Sequence, residues 1–249
     1  MATTTLSPPE NEGKVLGFPV STRNMEGTLS AIEGLLSDGG SHIVATADSS
    51  GLVIAQTDSE LASIYRSASL VTADSNGVVW ALKRGGYSAT RVSGVDVADQ
   101  LCRLSSEKGY RIFLLGSSPG VADEAAERLR LKYPGCNIVG SRNGFFPASD
   151  DDIVAQEIAL AKPDILFVAM GIPRQEKFLA KTLAITGAKI GMGVGGSLDV
   201  FSGRVKRAPK LIQKIKLEWL WRVLLNPKKF GKVMLLPKFM MLVWRYREP

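Results

Sequence analysis

Apolar runs alternate with amphipathic segments along most of the chain, and this alternation predicts its secondary structure. Six short apolar runs that lead into Gly, Thr or Asp are predicted strands, at residues 42–46, 70–73, 111–115, 137–139, 165–170 and 189–192. Segments between them have apolar residues at helical spacing, as in residues 121–131, 152–161 and 175–182. This order predicts an α/β fold, in which a mostly parallel sheet carries helices on both faces.

The loops that follow the predicted strands contain the candidate functional residues. Ligands of an open parallel sheet bind outside the carboxyl ends of its strands, so these loops are expected to lie together. They comprise residues 46–48, 72–77, 116–120, 171–173 and 193–196. The regular alternation ends near Gly203, where basic and largely helical sequence begins.

The segment after residue 209 has the pattern of a helix with two apolar stripes. At about 100° per residue, one stripe is formed by Leu211, Ile212, Ile215, Trp219 and Val223, with Arg222 on the same side. A second stripe lies roughly opposite and is formed by Leu217, Trp221 and Leu224. If one stripe packs on the domain, the other requires a lipid surface or a second copy of the chain.

Charge divides the chain into two parts. Residues 204–249 hold 13 Lys and Arg against two acids, whereas the first 203 residues hold 18 basic and 22 acidic residues. A basic segment of this kind predicts an anionic partner, either nucleic acid or a membrane surface. Its interleaved Lys, Trp, Phe and Leu residues favour anionic lipid over nucleic acid.

Other compositional features limit the possible classes of protein. Cys102 and Cys136 are the only cysteines and His42 is the only histidine, which excludes a disulfide framework and a four-cysteine metal site. No apolar run reaches the roughly 20 residues that span a bilayer, and the first residues do not resemble a secretory signal. We therefore expect a cytoplasmic protein with a disordered leader at residues 1–14, a core at 15–203 and a basic amphipathic C-terminal appendage at 204–249.

Two carboxylates at strand ends are candidates for polar chemistry. Asp74 follows an apolar run, where it is either a general base for a hydroxyl group or the N-cap of the next helix. Thr46 and Asp48 end the preceding strand, where they either bind a sugar or cap a helix. His42 opens that strand, and an ordinary structural role is favoured over a catalytic one.

Glycine-containing loops are candidates for binding a phosphorylated ligand. Gly116 begins a turn between a strand and a helix, which favours either phosphate binding or a plain tight turn. Gly171 and Gln175 belong to a polar cluster after an apolar strand, and Asn76 follows Asp74. Three further candidates near the next glycine turn are Gly195, Gly196 and Asp199, and Arg204 and Arg207 could neutralise a diphosphate unless they form a solvated basic loop.

Residues 150–152 are three consecutive aspartates and contain the D-x-D pattern of many metal-dependent glycosyltransferases. They also open a predicted helix, where acidic side chains interact favourably with the helix dipole. The helix position favours the structural interpretation, and we expect neither a metal nor another cofactor.

The ordered motifs together resemble the WecG/TagA/CpsF glycosyltransferase family over roughly residues 15–235. The matching runs are HIVATAD, TADSNGVV, RVSGVDV, IFLLGSSPGVADEAAERL, YPGCNIVGSRNGFF, ILFVAMGIPRQEK, GVGGSLDVFSGRVKRAP and LEWLWR. The resemblance implies a Rossmann-like core and a metal-independent, inverting transfer of N-acetylmannosamine or a related sugar from a UDP donor. It also implies an acceptor sugar linked to undecaprenyl diphosphate on the cytoplasmic face of the membrane, where the appendage completes the site.

The resemblance also suggests roles for individual residues. It implies that Asp74 is the base, that Thr46 lies beside the acceptor and that Arg222 stabilises the leaving diphosphate. Arg91 and Gln175 match positions that contact the donor or lie near it. The chain departs from the family pattern at Asp48, where the family usually has Asn, and at Lys229 and Lys232, where it usually has Arg.

Three hypotheses therefore follow from the sequence. The favoured one is a peripheral membrane glycosyltransferase that binds a UDP-sugar and a lipid-linked sugar, and that self-associates when no membrane covers its second stripe. The alternatives are a noncatalytic membrane-bound module that binds nucleotide sugar or lipid, and a basic nucleic-acid binder. The first alternative predicts UDP binding without product, and the second predicts steeply salt-dependent binding to DNA or RNA.

Overall fold

The computed structural model describes residues 11–209, residue 221 and residues 234–246. Its strands are β1 (Glu12–Val15), β2 (Phe18–Ser21), β3 (His42–Ala47), β4 (Leu70–Ala73), β5 (Ile112–Gly116), β6 (Ile138–Arg142), β7 (Ile165–Ala169) and β8 (Ile190–Gly193). Its helices are α1 (Met25–Ser37), α2 (Ser49–Ile54), α3 (Ser59–Ser67), α4 (Asn76–Arg84), α5 (Gly94–Lys108), α6 (Val121–Lys132), α7 (Asp151–Leu160), α8 (Arg174–Thr186), α9 (Ser197–Phe201) and α10 (Leu235–Arg245). The six strands and three helices that the sequence predicts are all present, with bounds that differ by a few residues.

Six strands form the central sheet, in the order β4-β3-β8-β7-β5-β6, and every pairing within it is parallel. The predicted parallel α/β sheet is therefore confirmed. β1 and β2 form a separate antiparallel pair. Glu12–Val15 overlaps the leader expected at residues 1–14, so the end of that segment belongs to the ordered hairpin.

The strands are apolar throughout because helices cover both faces of the sheet. In β5, Ile112 and Leu114 point into one core, which also contains residues of α1, α5, α6 and α9. Phe113 and Leu115 point into the opposite core, which contains residues of α7 and α8. A third apolar cluster joins β3 and β4 to the β1–β2 hairpin and to α2, α3, α4 and α10.

The two helices that follow β5 and β7 lie on opposite faces of the sheet. α6 contributes Val121 and Ala125 to one core, and α8 contributes Phe178 and Leu179 to the other. The loops after β5 and β7 therefore diverge between two neighbouring strands, which is the point where open parallel sheets form a ligand crevice. The predicted convergence of the loops has this topological cause.

Local sequence determines where several helices begin and end. Asn24, Asp48, Asp58 and Ser75 are N-caps whose side chains accept a backbone N–H of the first turn. α5 ends at Gly109, which has a left-handed conformation that glycine adopts without steric cost. Cys102 and Cys136 are both buried as free thiols.

The C-terminal helix α10 packs on the core. Phe239 is completely buried and Val243 nearly so, in the cluster formed by α2, α4 and the hairpin. Met240, Met241 and Trp244 are exposed on the other side, and the Arg84 guanidinium lies 4.8 Å from the Trp244 ring centroid. This part of the predicted appendage is thus an amphipathic helix with one face on the domain.

The two apolar stripes predicted between residues 211 and 224 fall largely outside the described residues. Trp221 is described, and its indole N–H donates to the carbonyl of Lys206 at 3.2 Å. Within the described part of the chain, no helix has the length and apolar character needed to cross a bilayer.

Phe239→Ala is expected to lower the free energy of unfolding by about 3–5 kcal/mol, because it leaves a cavity beneath α10. Urea unfolding followed by circular dichroism measures this change. Met240→Ala on the exposed face of the same helix is the matched control, with an expected effect within about 0.5 kcal/mol. Equal stabilities of the two variants would show that α10 does not pack on the core.

Candidate active site

A cleft of about 590 Å³ lies at the carboxyl edge of the central sheet. Loops after all six strands of that sheet contribute to its wall, together with α9. Eight of the residues selected from the sequence line it: Thr46, Asp48, Asp74, Gly171, Gln175, Gly195, Gly196 and Asp199. Asn76, Arg91, Gly116, Arg204 and Arg207 do not line it, and Arg222 lies outside the described residues.

Asp74 lies at the end of β4 and caps a helix other than the one expected. Its carboxylate Oδ1 accepts the N–H of Gly94, the first residue of α5, at 2.7 Å. The alternative that Asp74 caps the helix directly after it is wrong, because Ser75 has that role. The Asp74 backbone is also held, since its carbonyl accepts from Arg91 Nε at 2.6 Å. A carboxylate is therefore fixed in the cleft wall beside the N-terminus of α5.

Thr46 and Asp48 occupy the end of the neighbouring strand. Asp48 caps α2, with Oδ1 accepting from the Gly51 N–H at 2.6 Å and from the Ser50 hydroxyl at 2.7 Å, so the capping interpretation is confirmed for it. Thr46 is not a cap, because its hydroxyl donates to the carbonyl of Gly193 at the end of β8. The Thr46 hydroxyl thus joins β3 to β8 at the floor of the cleft.

The turn after β5 is shaped by a close contact between backbones. A Cβ at Gly116 would collide with the carbonyl of Ala169, and the φ of Gly116 is +133°, so glycine is required there. The N–H of the following residue, Ser117, donates to Ala169 at 2.9 Å. Ser117 and Ser118 line the cleft in place of Gly116 itself.

Gln175 is buried at the start of α8. Its Oε1 accepts the N–H groups of Gly171 at 3.1 Å and of Gly195 at 3.0 Å. Its Nε2 donates to Oε1 of Glu176 at 2.8 Å. The resemblance places Gln175 near the sugar donor, but its amide oxygen already accepts hydrogen bonds from two loops of the protein.

Arg204 and Arg207 are held in ion pairs with other parts of the core. Arg204 binds Glu124 of α6 through Nε at 2.8 Å and Nη2 at 2.6 Å. Arg207 binds Asp96 of α5 through its two terminal nitrogens at 2.6 and 2.8 Å. The sequence left open whether these arginines are cations for a diphosphate or part of a solvated basic loop, and in the structure both pair with carboxylates outside the cleft.

Arg91 and Asn76 are adjacent to the site without lining it. Arg91 supports the Asp74 backbone, and Asn76 is the first residue of α4. His42 begins β3 at the amino edge of the sheet, where Nε2 lies 2.7 Å from Oδ1 of Asp38. The structural interpretation of His42 is thereby confirmed, because the cleft lies at the opposite edge.

The three consecutive aspartates lie at the beginning of α7. Asp151 is buried and pairs with Arg174, whose Nη1 is 3.0 Å from Oδ2. Asp152 pairs with Lys181 at 2.9 Å. Among the described residues, no three His, Cys, Asp or Glu side chains are grouped so that they could hold a metal ion.

Several residues of the site were not selected from the sequence. Phe145 is 71% exposed at the cleft, and Arg174 is the only cation among the described residues that line it. Tyr65 is buried behind the cleft, and its hydroxyl has no hydrogen-bond partner in the described part of the chain. Burial raises the pKa of the Tyr65 phenol well above its usual value, and the charges of Glu176, Asp48 and Asp74 raise it further. The charges of these three carboxylates thus act on one buried phenol, which no sequence motif indicates.

Comparison with known proteins matches the part of the chain that forms the cleft. The sequence model described as the glycosyl transferase WecG/TagA/CpsF family matches residues 13–249. Three relatives are each named N-acetylglucosaminyldiphosphoundecaprenol N-acetyl-beta-D-mannosaminyltransferase. The Bacillus subtilis (strain 168) protein is 33% identical over 202 residues, which are 81% of this chain and 78% of the relative.

The other two relatives give similar values. The Bacillus spizizenii protein is 35% identical over 186 residues, which are 74% of this chain and 72% of the relative. The Staphylococcus aureus (strain MRSA252) protein is 34% identical over 198 residues, which are 79% of this chain and 77% of the relative. The range matched by the family model includes every loop that forms the cleft.

Asp96→Asn is expected to destabilise the protein near neutral pH but not in strong acid. Burial would raise the pKa of Asp96, yet hydrogen bonds from Arg207 and Ser93 hold it below its usual value. Its ion pair therefore contributes stability above about pH 4, the pKa of an unfolded Asp, and loses it as the pH falls through the lower folded pKa. Because the carboxylate is partly exposed, we expect a difference from the wild type of at most about 1 kcal/mol at pH 7.

Urea unfolding of both proteins at pH 7 and at pH 2.5 measures this difference. Asp152→Asn on the exposed end of α7 is the control, with a smaller expected effect. If the wild type and Asp96→Asn differ in free energy of unfolding as much at pH 2.5 as at pH 7, the ionised Asp96 carboxylate is not the source of the stability.

Proposed function

The chain belongs to the WecG/TagA/CpsF family of glycosyl transferases, and on this premise we propose the reaction that it catalyses. It transfers N-acetylmannosamine or a related sugar from a UDP donor to a hydroxyl of a sugar linked to a polyprenyl diphosphate. The relatives' names support both the sugar and the lipid-linked acceptor. The observation that carries the proposal is the Asp74 carboxylate, which is held in the cleft at a strand end.

Asp74 acts as the general base in this proposal. A carboxylate keeps acceptor capacity after one oxygen is bonded to a backbone N–H, so it can take the proton of an attacking hydroxyl. The hydroxyl oxygen forms the new bond to the anomeric carbon while the bond to the UDP oxygen breaks on the opposite side. A single displacement of this kind inverts the anomeric configuration. The acceptor then lies near the ends of β3 and β4, beside Thr46 and Asp48.

The donor lies over the loops that follow β5, β6, β7 and β8. The exposed ring of Phe145 offers a surface on which a uracil base can stack. Ser117, Gly171 and Gly195 belong to the adjoining loops, whose small side chains permit close approach of a diphosphate. This division leaves the sugar between the donor loops and Asp74.

The leaving diphosphate requires more positive charge than the described part of the cleft supplies. Its described lining holds the carboxylates of Asp48, Asp74 and Asp199 against the guanidinium of Arg174. The C-terminal segment from residue 204 carries 13 Lys and Arg, and the family resemblance selects Arg222 among them. We assign metal-independent neutralisation to this segment, since cations stabilise a developing diphosphate charge without a metal. The pairing of Asp151 and Asp152 with basic side chains supports this assignment.

The exposed face of α10 suits a membrane surface. Met240, Met241 and Trp244 are exposed beside Lys238 and Arg245, a combination typical of helices that lie in the interface of an anionic bilayer. A peripheral position on the inner face of the cell membrane brings the cleft to a lipid-linked acceptor. A second copy of the chain covering the same apolar face is the alternative that the membrane test below would reveal.

Asp74→Asn is expected to lower the transfer rate about 10²–10⁴-fold, because it removes the proton acceptor while keeping the size of the side chain. The assay follows product formation from UDP-N-acetylmannosamine and a short-chain prenyl-diphosphate-linked N-acetylglucosamine. Asp152→Asn is the matched control and should stay within about twofold of the wild type, with or without EDTA. Wild-type turnover by Asp74→Asn would refute the base assignment, and UDP binding by the wild type without any product would favour a noncatalytic module.

Replacing Met240 and Met241 by Glu is expected to weaken binding to phosphatidylglycerol vesicles at least about tenfold, because it places charge on the apolar face. Vesicle sedimentation measures the bound fraction. Leu131→Glu is the control, since Leu131 is highly exposed on α6, away from α10. If the vesicle affinity is unchanged but the wild type is a dimer that the double variant dissociates, this face binds a second copy of the chain.

A further inference from the structure

The side chain of Gln175 connects two loops of the donor side of the cleft. Gly171 follows β7 and Gly195 follows β8, and their N–H groups share the single Oε1 atom of Gln175 at 3.1 and 3.0 Å. A carbonyl oxygen has two lone pairs, so both are used within the protein. The amide oxygen therefore sets the distance between the two loops and is not available to a substrate.

The carboxylate of Glu176 determines which way that amide points. Glu176 is only 1% exposed, and its Oε1 accepts from Nε2 of Gln175 at 2.8 Å. In the flipped orientation, the amide would present N–H groups to two backbone N–H donors and its oxygen to a carboxylate. The oxygen and the nitrogen of a flipped amide would both lose their hydrogen bonds. The buried acid therefore selects the orientation in which the amide oxygen joins the two loops.

The end of β8 is shaped to admit this pair of side chains. A Cβ at Gly193 would lie 2.6 Å from Nε2 of Gln175 and 3.1 Å from Oε1 of Glu176. Glycine at this position lets both side chains lie against the strand. The carbonyl of Gly193 also accepts the Thr46 hydroxyl at 2.9 Å, so the same residue contacts the acceptor side of the cleft.

We propose that Glu176 is a positioning residue of the donor site, which acts through Gln175 to hold the Gly171 and Gly195 loops at the separation that the UDP-sugar requires. This inference rests on the proposed function, because it takes the donor to lie over these loops. Glu176 need not touch the substrate. Its effect should appear in the KM of the donor more than in the KM of the acceptor.

Swapping the amide and the carboxylate between positions 175 and 176 tests the proposal. Gln175→Glu keeps an acceptor for both loop N–H groups but places two buried carboxylates in contact. The donor KM should rise at least roughly tenfold at neutral pH, and the loss should diminish as the pH falls, because a protonated carboxyl can donate to its neighbour. The double variant Gln175→Glu/Glu176→Gln again places an amide N–H against a carboxylate. Its KM for the UDP-sugar should return to within about threefold of the wild type.

Leu183→Ala is the matched control for a general loss of stability. Leu183 is buried on the same helix, in the core on the side of α7, and does not line the cleft. Its truncation should lower the melting temperature without changing the ratio of donor KM to acceptor KM. A change in that ratio as large as the change caused by Gln175→Glu would mean that Glu176 and Gln175 are merely structural.

Amide hydrogen exchange at Gly171 and Gly195 provides a readout that does not depend on catalysis. In ¹⁵N-glycine-labelled protein, Gln175→Glu should speed exchange at both amides roughly tenfold, the double variant should reverse this, and Gly109 should be unaffected. If this exchange pattern is found but the wild type transfers no sugar from UDP-N-acetylmannosamine, the proposed function is overturned, while the connection of the two loops by Gln175 stands. Transfer with an unchanged donor KM and unchanged exchange in Gln175→Glu, or failure of the double variant to recover, would overturn the inference.

Discussion

The parallel hydrogen bonding of β3, β8, β7 and β5 is the constraint on which the site depends. Because these strands run in the same direction, all of their carboxyl ends meet at one edge of the sheet. The pairing brings together residues that are far apart in the chain: the Thr46 hydroxyl bonds to the carbonyl of Gly193, 147 positions away. The helices after β5 and β7 lie on opposite faces, which opens the cleft between their loops. The chemistry of the site is thus a consequence of strand order.

The distribution of charge suggests how the core and the C-terminal segment share the reaction. Arg204 and Arg207 are bound to carboxylates of α6 and α5, so the start of the basic segment is attached to the core. α10 is attached through Phe239 to α2 and α4, the helices that begin beside Asp48 and Asp74. Both ends of the segment are therefore anchored near the cleft. Such anchoring is consistent with a segment that supplies cations to an otherwise acidic site.

Much of the fold could be predicted because its determinants are local. Apolar runs located the six strands of the sheet, and helical spacing located α6, α7 and α8 to within a few residues. The site was predicted less completely. The carboxylates at strand ends were identified, but the partner of Asp74 was wrong, because the N–H that it caps belongs to α5 and not to the adjacent α4. Tyr65 was missed because it occupies no recognisable motif, and Phe145 was missed because it lies in a matching run without a polar group that would mark it as a site residue.

The sequence by itself determined the fold class, the family and the list of polar residues at the strand ends, because periodicity and ordered motifs are properties of neighbouring positions. Only the tertiary structure decided what each of those residues bonds to. Gln175 shows the difference: its place at the start of a helix was readable, but its two acceptor bonds join loops of different strands. A side chain with few lone pairs can serve either a ligand or the protein. Which of the two it serves depends on the groups that folding brings within hydrogen-bond distance.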